Sequence, residues 1–240
     1  MKKLLLATTL ISAALIGQVS AQGMTKADIE AIIKDYIQNN PEVILDSVEA
    51  YGRAQQEISQ ADKQKAVDEN IGWILANKKL PVAGNPNGDV TIVEFYDYNC
   101  GYCKKAISDV TTLLEEDKNI KMVFVEMPIL GRTSELAARW ALAAEEQGGF
   151  LPFHIAMMRN HGPITEDLLE KVSRDNGLDV AKMRVYVESD EAAALIAEKS
   201  QKAADMGISG TPAFIIDGQL YGGYIGLDAM KRAIKEAREG

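Results

Sequence analysis

Cys100 and Cys103 are the only cysteines in a chain of 240 residues, and two residues separate them. A pair so spaced can exchange disulfides, form a structural cross-link or bind a soft metal ion. Its position favours the first. The pair lies between Val90–Tyr96 (VTIVEFY), rich in β-formers, and a helical pattern from Lys104 to Asp117. A helix N-terminus offers unpaired N–H groups and a partial positive charge, which stabilise a thiolate over a thiol. Cys100 is therefore the expected nucleophile. Cys103, one turn further in, is the expected resolving thiol, and exchange would pass through a mixed disulfide. A zinc site lacks ligands, because no second Cys-x-x-Cys or Cys-x-x-His occurs and His154 and His161 are the only histidines. A structural disulfide would close too short a ring to restrain much of the unfolded chain. Cu(I) held by Cys100 and Cys103 as a soft dithiolate stays open; no other metal and no cofactor is expected.

The elements around the pair read as α/β. A second strand is expected over Asn119–Glu126 (NIKMVFVE). A long helical interval follows: one helix capped by Thr133 or Ser134 and ending at Gly148-Gly149, a short one over Pro152–Asn160, then helices over Thr165–Asn176, Asp179–Glu188 and Asp190–Met206. Strands return at Ala213–Ile216 and Gln219–Tyr224. Asp217-Gly218 between them is the tightest hairpin signal in the chain. Leu227–Glu239 reads as a closing helix. His154 and His161 are expected at helix ends or in loops. Met127, Met157, Met158, Phe150, Phe153 and Ile155 are expected mostly in the helical core, with a peptide groove as the alternative.

Before this region, Thr25 to about Leu80 looks helical throughout. Ile29, Ile32, Ile33, Tyr36 and Ile37 fall on one helix face, and Asn39-Asn40-Pro41 breaks the pattern. From Pro41 to about Asn77 the chain could form one helix on the order of 55 Å long. Its middle, Arg53–Asn70, is polar nearly all round, which suits a solvated or bridging helix. Pro81–Asp89 (PVAGNPNGD) has turn and linker chemistry, so the expected division is 22–80 for a helical extension and 81–240 for the α/β domain.

The segment Phe95–Lys104 (FYDYNCGYCK) closely resembles the active-site segment of DsbA-like thiol–disulfide oxidoreductases of the thioredoxin superfamily. Gly210-Thr211-Pro212-Ala213-Phe214 resembles that family's Gly-Thr-Pro loop before a strand. The resemblance covers about residues 85–240. It implies a thioredoxin-like fold with an inserted helical domain, at about 131–190 here, preceded by an N-terminal helical extension. It also implies a cis Thr211–Pro212 bond facing the cysteines, with the backbone at Thr211 pairing with a bound peptide; a trans proline opening a strand is the alternative. Gly101 and Tyr102, between the cysteines, would then meet substrate, Tyr102 as an exposed ring. Gly101-Tyr102 departs from the Pro-His pair of the family's strongest oxidants. A thiolate less stabilised than theirs, and a couple less oxidising than about −120 mV, is therefore expected. Glu94 stands where family members carry a buried acid near the second cysteine, and would take the Cys103 proton. An ordinary strand carboxylate paired with a lysine such as Lys121 is the alternative.

Tyr36–Ile44 (YIQNNPEVI) is similar to the extension on ScsC-type proteins, a suppressor-of-copper-sensitivity branch of the same group, in which it can mediate self-association, including trimers. Ile29, Ile32, Ile33, Tyr36, Ile37, Val43, Ile44 and Val48 are too many aliphatic and aromatic side chains for a free arm. A homo-oligomer, in trimeric form among others, is expected over back-folding onto the catalytic domain. Met1–Ala21 reads as a cleaved secretory leader, with Lys2-Lys3, an apolar run over Leu4–Ile16 and Val19-Ser20-Ala21 as the cleavage site. A periplasmic location follows. The leader carries two lysines and no acid, so its removal would take the net charge from −9 to −11. That balance argues against nucleic acid as a partner. The expected partners are proteins with cysteines or disulfides and a membrane redox protein, either a reductant or a quinone-linked oxidant. Disulfide isomerase or reductase use in an oligomer is the leading expectation, with a DsbA-like oxidase or a copper-tolerance protein as rivals.

Overall fold

The computed structural model describes residues 24–239. The leader expected at Met1–Ala21 lies outside the described residues. The chain divides into two compact units, one ending at Gln55 and one beginning at Gln56.

In the first unit α1 (Lys26–Asn39) opens on a reciprocal cap. The Thr25 hydroxyl accepts from Asp28 N–H at 3.3 Å, and Asp28 Oδ2 accepts from Thr25 N–H at 2.9 Å. Asn40 closes it, its side-chain amide donating to the Tyr36 carbonyl at 2.8 Å, and α2 (Glu42–Ala76) starts after Pro41. α1 buries no residue. Ile29, Ile32, Ile33 and Tyr36, with Ile44, Leu45, Val48 and Tyr51 of α2, are each at least 44% exposed in the single chain.

The second unit is built on a five-stranded sheet, β1 (Val82–Gly84), β2 (Val90–Tyr96), β3 (Ile120–Glu126), β4 (Ala213–Ile216) and β5 (Gln219–Gly222), in the order β1-β3-β2-β4-β5. β2 and β3 run parallel, so a crossover must join them, and α3 (Gly101–Glu116) supplies it. The other pairs are antiparallel. The β4–β5 hairpin turns at Asp217 (φ 48°) and Gly218 (φ 87°), two left-handed residues that match the twist of the strands. Between β3 and β4 lie α4 (Arg132–Glu145), α5 (Phe150–Arg159), α6 (Glu166–Asp175), α7 (Val180–Val187) and α8 (Asp190–Asp205). Helix α9 (Leu227–Glu239) closes the chain.

Strand alternation sorts the core into two faces. Ile92, Tyr96, Met122 and Phe124 pack with α3, α5 and α9, together with both cysteines. Val93, Phe95, Val123 and Val125 pack on the opposite face with Ala203 and Met206. Val67 and Ile74 of α2 join that second face, 0% and 2% exposed. The second half of α2 is therefore part of the α/β unit, not a solvated linker, and the compact unit starts at Gln56 instead of after Leu80. Burying each such side chain contributes roughly 1.5–3 kcal/mol, enough to overrule the polar surroundings.

Three local expectations differ from what is observed. Pro81–Asp89 is not free linker: β1 pairs with β3, and Asn85 N–H and Asp89 N–H bond the carbonyls of Ile120 and Asn119, each at 2.8 Å. Gly84 permits this close approach, since at φ 78° an added Cβ would sit 2.6 Å from the Ile120 carbonyl oxygen. Helix α4 starts at Gly131 with no side-chain cap, because the hydroxyls of Thr133 and Ser134 accept from Asn99 Nδ2 instead. His154 is neither at a helix end nor in a loop; it is fully buried in the middle of α5.

Candidate active site

Cys100 is the N-cap of α3. Its φ of −74° and ψ of 117° are extended, and its Sγ accepts from Cys103 N–H at 3.4 Å, the role a Ser or Asp usually plays at this position. The Cys100 thiol also donates to the Thr211 carbonyl at 3.2 Å. The Thr211–Pro212 bond is cis, and Thr211 is half-buried while Pro212 is buried. The structure thus brings Cys100, Cys103, Thr211 and Pro212 together from two separate stretches of chain. Gly101 and Tyr102 lie exposed on the first turn of α3, Tyr102 at 64%.

The two sulfurs differ sharply. The Cys100 thiol is pulled down to about 5, first by the Cys103 thiol donating to it, then by the Thr211 side chain and the N–H groups of Cys103 and Tyr102, against the opposing effect of burial. That value falls between the roughly 3.5 of a strongly oxidising Cys-x-x-Cys protein and the roughly 7 of a reducing one. Cys103, 1% exposed, is pushed far above its ordinary value by the same hydrogen bond to Cys100, by burial and by the Glu94 charge. One sulfur is biased towards the thiolate and the other is held as a thiol.

Glu94 lies on the β2 face that carries Ile92 and Tyr96, facing the cysteine cluster. It is 1% exposed, its Oε2 has no hydrogen-bond partner, and its pKa rises to about 8 through burial and then through the Cys100 charge. Pairing with Lys121 does not occur: Lys121 aligns with Thr91 in the β2–β3 register, which puts it on the opposite sheet face from Glu94. A carboxyl held near neutrality beside two thiols can take and return a proton.

Sequence reasoning missed the buried polar cluster behind this centre. Tyr96 Oη donates to Glu126 Oε1 at 2.9 Å, Glu126 pairs with the fully buried Lys199, and Tyr98 Oη lies 3.1 Å from His154 Nδ1. Burial pushes His154 down to about 3, so its ring is neutral. Periodicity carried a signal for Lys199. It shares a helix stripe with Ala192, Leu195, Ile196 and Ala203, all buried. Met127, Met157, Met158, Phe150 and Phe153 are buried core residues, and Ile155 is half-buried against them. Two apolar residues near the thiol also went unnoticed. Ile129 and Leu130, 46% and 53% exposed, lie on a loop tied to the active-site segment by Leu130 N–H donating to Asp97 Oδ2 at 2.9 Å.

No group of three or more His, Cys, Asp or Glu converges among the described residues to hold a metal.

Comparison with known proteins agrees with this geometry. Residues 91–235 match the DSBA-like thioredoxin domain family, and residues 26–57 match the copper resistance protein ScsC N-terminal domain. A thioredoxin-like oxidoreductase from Silicibacter pomeroyi DSS-3 is 39% identical with a TM-score of 0.66, over 70% of this chain and 96% of that one. The thiol-disulfide exchange protein alpha-DsbA2 from Wolbachia pipientis is 27% identical with a TM-score of 0.69, over 75% of this chain and 97% of that one. A Na(+)/H(+) antiporter of Salinispora arenicola is 32% identical over 66% of this chain; the match spans only 25% of the antiporter's length. The cysteine centre, the Gly-Thr-Pro loop and the matched span together place this chain in the DsbA-like thioredoxin family.

Proposed function

We propose that the protein is a periplasmic thiol–disulfide oxidoreductase acting on cysteine-containing proteins, used as a disulfide isomerase or reductase in a homo-oligomer. The observation that carries this reading is the contrast between the sulfurs: Cys100 ionised near 5 beside Thr211, and Cys103 buried and protonated beside Glu94.

The steps balance. Cys100 thiolate attacks one sulfur of a substrate disulfide, an S–S bond forms to Cys100, and the other substrate sulfur leaves as a thiolate. The charge on Cys100 has now gone. The Glu94 pKa falls with it, so Glu94 gives its proton to the departing substrate thiolate and stands as a carboxylate, able to accept, when Cys103 must lose its proton. Cys103 then attacks the Cys100 sulfur and releases the second substrate thiolate. The substrate gains two electrons and the protein leaves with a Cys100–Cys103 disulfide. In isomerisation the first freed substrate thiolate attacks another substrate disulfide, the thiolate released there attacks the substrate sulfur bound to Cys100, Cys100 leaves as a thiolate, and no net redox occurs. Thr211 would hold the substrate strand, and Tyr102, Ile129 and Leu130 offer apolar surface beside the thiol.

Three features favour isomerase or reductase use over oxidation. Gly101-Tyr102 places no histidine between the cysteines to stabilise the thiolate further. The exposed apolar residues of α1 and early α2, within the span matched to an ScsC N-terminal domain, need a partner surface that a second copy would supply. Several active sites on one assembly would raise the effective concentration of thiolate around a misfolded client. Such use needs a membrane reductant to keep Cys100 reduced. The address rests on the leader at Met1–Ala21, and among the described residues no helix is long and apolar enough to cross a membrane. Reactivation of scrambled ribonuclease, set against oxidation of reduced ribonuclease, tests the direction. Scrambled-substrate activity with Cys100 mostly reduced in cells is expected. A Cys100–Cys103 pair mostly oxidised in cells, with activity only on reduced ribonuclease, would show an oxidase recharged by a quinone-linked partner.

A further inference from the structure

Helix α2 packs against the β4–β5 hairpin. Gln64 Nε2 donates to the Gly218 carbonyl at 2.7 Å, and Gln64 Oε1 accepts from Leu220 N–H at 3.0 Å. One side-chain amide thus occupies the free edge of β5 as a neighbouring strand would. The clamp fixes its neighbour Lys63, whose aliphatic stem lies over Gly207; a Cβ added there would meet Lys63 Cγ at 3.1 Å. Beside this contact is a cavity of 310 Å³, bounded by Gln60 and Lys63 on one side and by the chain from Gly207 to Ala213 with Leu220 and Gly222 on the other. Thr211 and Pro212 therefore belong to the cavity as well as to the cysteine centre, where the Thr211 carbonyl lies 3.2 Å from Cys100 Sγ.

The cavity lining is about evenly polar and apolar. In the β4–β5 register Gln219 and Tyr221 turn their backbone groups towards β4, so Gly222 N–H faces the open edge beyond the Gln64 clamp, while the Leu220 carbonyl accepts from Gln219 Nε2 at 3.4 Å. Lys63 supplies the cation. Arg53 and Lys65, the other basic residues of α2, pair with Glu49 and Glu69, whereas Lys63 makes no ion pair among the described residues.

We infer that this groove continues the substrate site: it takes the extended chain of a client protein beside its reactive cysteine, and Lys63 selects an acidic side chain there. The inference rests on the thiol–disulfide reading above, and continuity with Thr211 and Pro212 is what ties the occupant to the cysteine of a client. The Gly222 N–H and the backbone beside Thr211 suit an extended peptide, and the unpaired ammonium suits a carboxylate. Lys63 acts on substrate choice, not on sulfur chemistry.

The test uses the full chain and disulfide-linked fluorescent peptides in which Glu or Lys is placed in turn at each position flanking the cysteine. Hydroxyethyl disulfide, too small to reach the groove, serves as the reference. Wild type should prefer Glu over Lys at one or two positions by about fivefold in kcat/KM, and the preference should shrink with salt. Lys63→Met, which keeps the stem on Gly207, should abolish the preference. Lys63→Glu should reverse it, and the rate with hydroxyethyl disulfide should be unchanged in both. An identical peptide preference in all three proteins, or no preference at any position, overturns the inference. Failure of wild type to reduce even hydroxyethyl disulfide would instead overturn the oxidoreductase reading on which it rests.

Discussion

Replacing Glu94 with Gln separates the titration of this carboxyl from everything else in the site. In the unfolded chain a glutamate ionises near 4.5, while the folded one stays protonated to about 8. Between those values unfolding releases a proton, so raising the pH favours the unfolded state. Each pH unit in this window costs up to ~1.4 kcal/mol, and the whole window no more than ~5 kcal/mol. Glutamine keeps the shape and cannot ionise. Below 4.5 the two proteins should therefore differ little, and the variant should gain on wild type as the pH rises, levelling off above about 8. Urea unfolding of both proteins under reducing conditions at a series of pH values measures the gap. The Cys100 contribution runs the other way, because a depressed pKa adds stability that is lost as pH falls through about 5. It is present in both proteins and largely cancels in the difference. The same substitution should slow release of the mixed disulfide by about 100-fold at neutral pH, since the Cys103 proton loses its acceptor. A stability gap that stays constant with pH would refute a buried, neutral Glu94, and unchanged release rates would remove it from the exchange chemistry.

Three further outcomes follow from the same geometry. The ultraviolet absorbance of the Cys100 thiolate, followed in the reduced Cys103→Ser protein, should titrate well below the ordinary thiol range, near wild type's value of about 5, because the serine hydroxyl can donate in place of the thiol and the N-cap N–H groups remain; a midpoint in the ordinary thiol range would show that the N-cap position does little. Val67→Ala should destabilise the α/β unit by about 1–3 kcal/mol in urea, whereas Val48→Ala, exposed on the same helix, should cost under about 0.5 kcal/mol in the monomer. Light scattering should report a multiple of the chain mass for the protein and a single chain after deletion of residues 25–55. An unchanged monomeric mass before and after would end the self-association proposal.

The chemistry was legible because it depends on short-range order. Cys100 caps a helix whose first turn holds Cys103, and the strands on either side of them are rich in β-formers. Val90–Tyr96, Ala213–Ile216 and Leu227–Glu239 were readable to the residue for the same reason, as was the Asp217-Gly218 turn, whose two residues take the left-handed conformation that the spacing requires. What escaped was set by long-range packing. β1 is three residues of turn-like sequence that become a strand only because the β3 edge is there to pair with. Helix α3 begins three residues earlier than the pattern indicates, since a thiol does the capping usually left to Ser or Asp. Glu126, His154 and Lys199 are polar letters in apolar stripes, and nothing local says that each finds its partner in the interior. Val67 and Ile74 lie seven residues apart on α2, a spacing that puts them on one face, yet the polar stretch around them concealed it.

The central claim, that Cys100 is the attacking sulfur and Cys103 the resolving one, is tested most directly by trapping. A disulfide-bonded peptide is mixed with reduced Cys103→Ser protein and, separately, with Cys100→Ser protein, and the adducts are read by intact mass at neutral pH. The account predicts a stable adduct of one peptide chain on Cys100 in the first protein and essentially none on the buried Cys103 in the second. An adduct on Cys103, or none on Cys100, would contradict it.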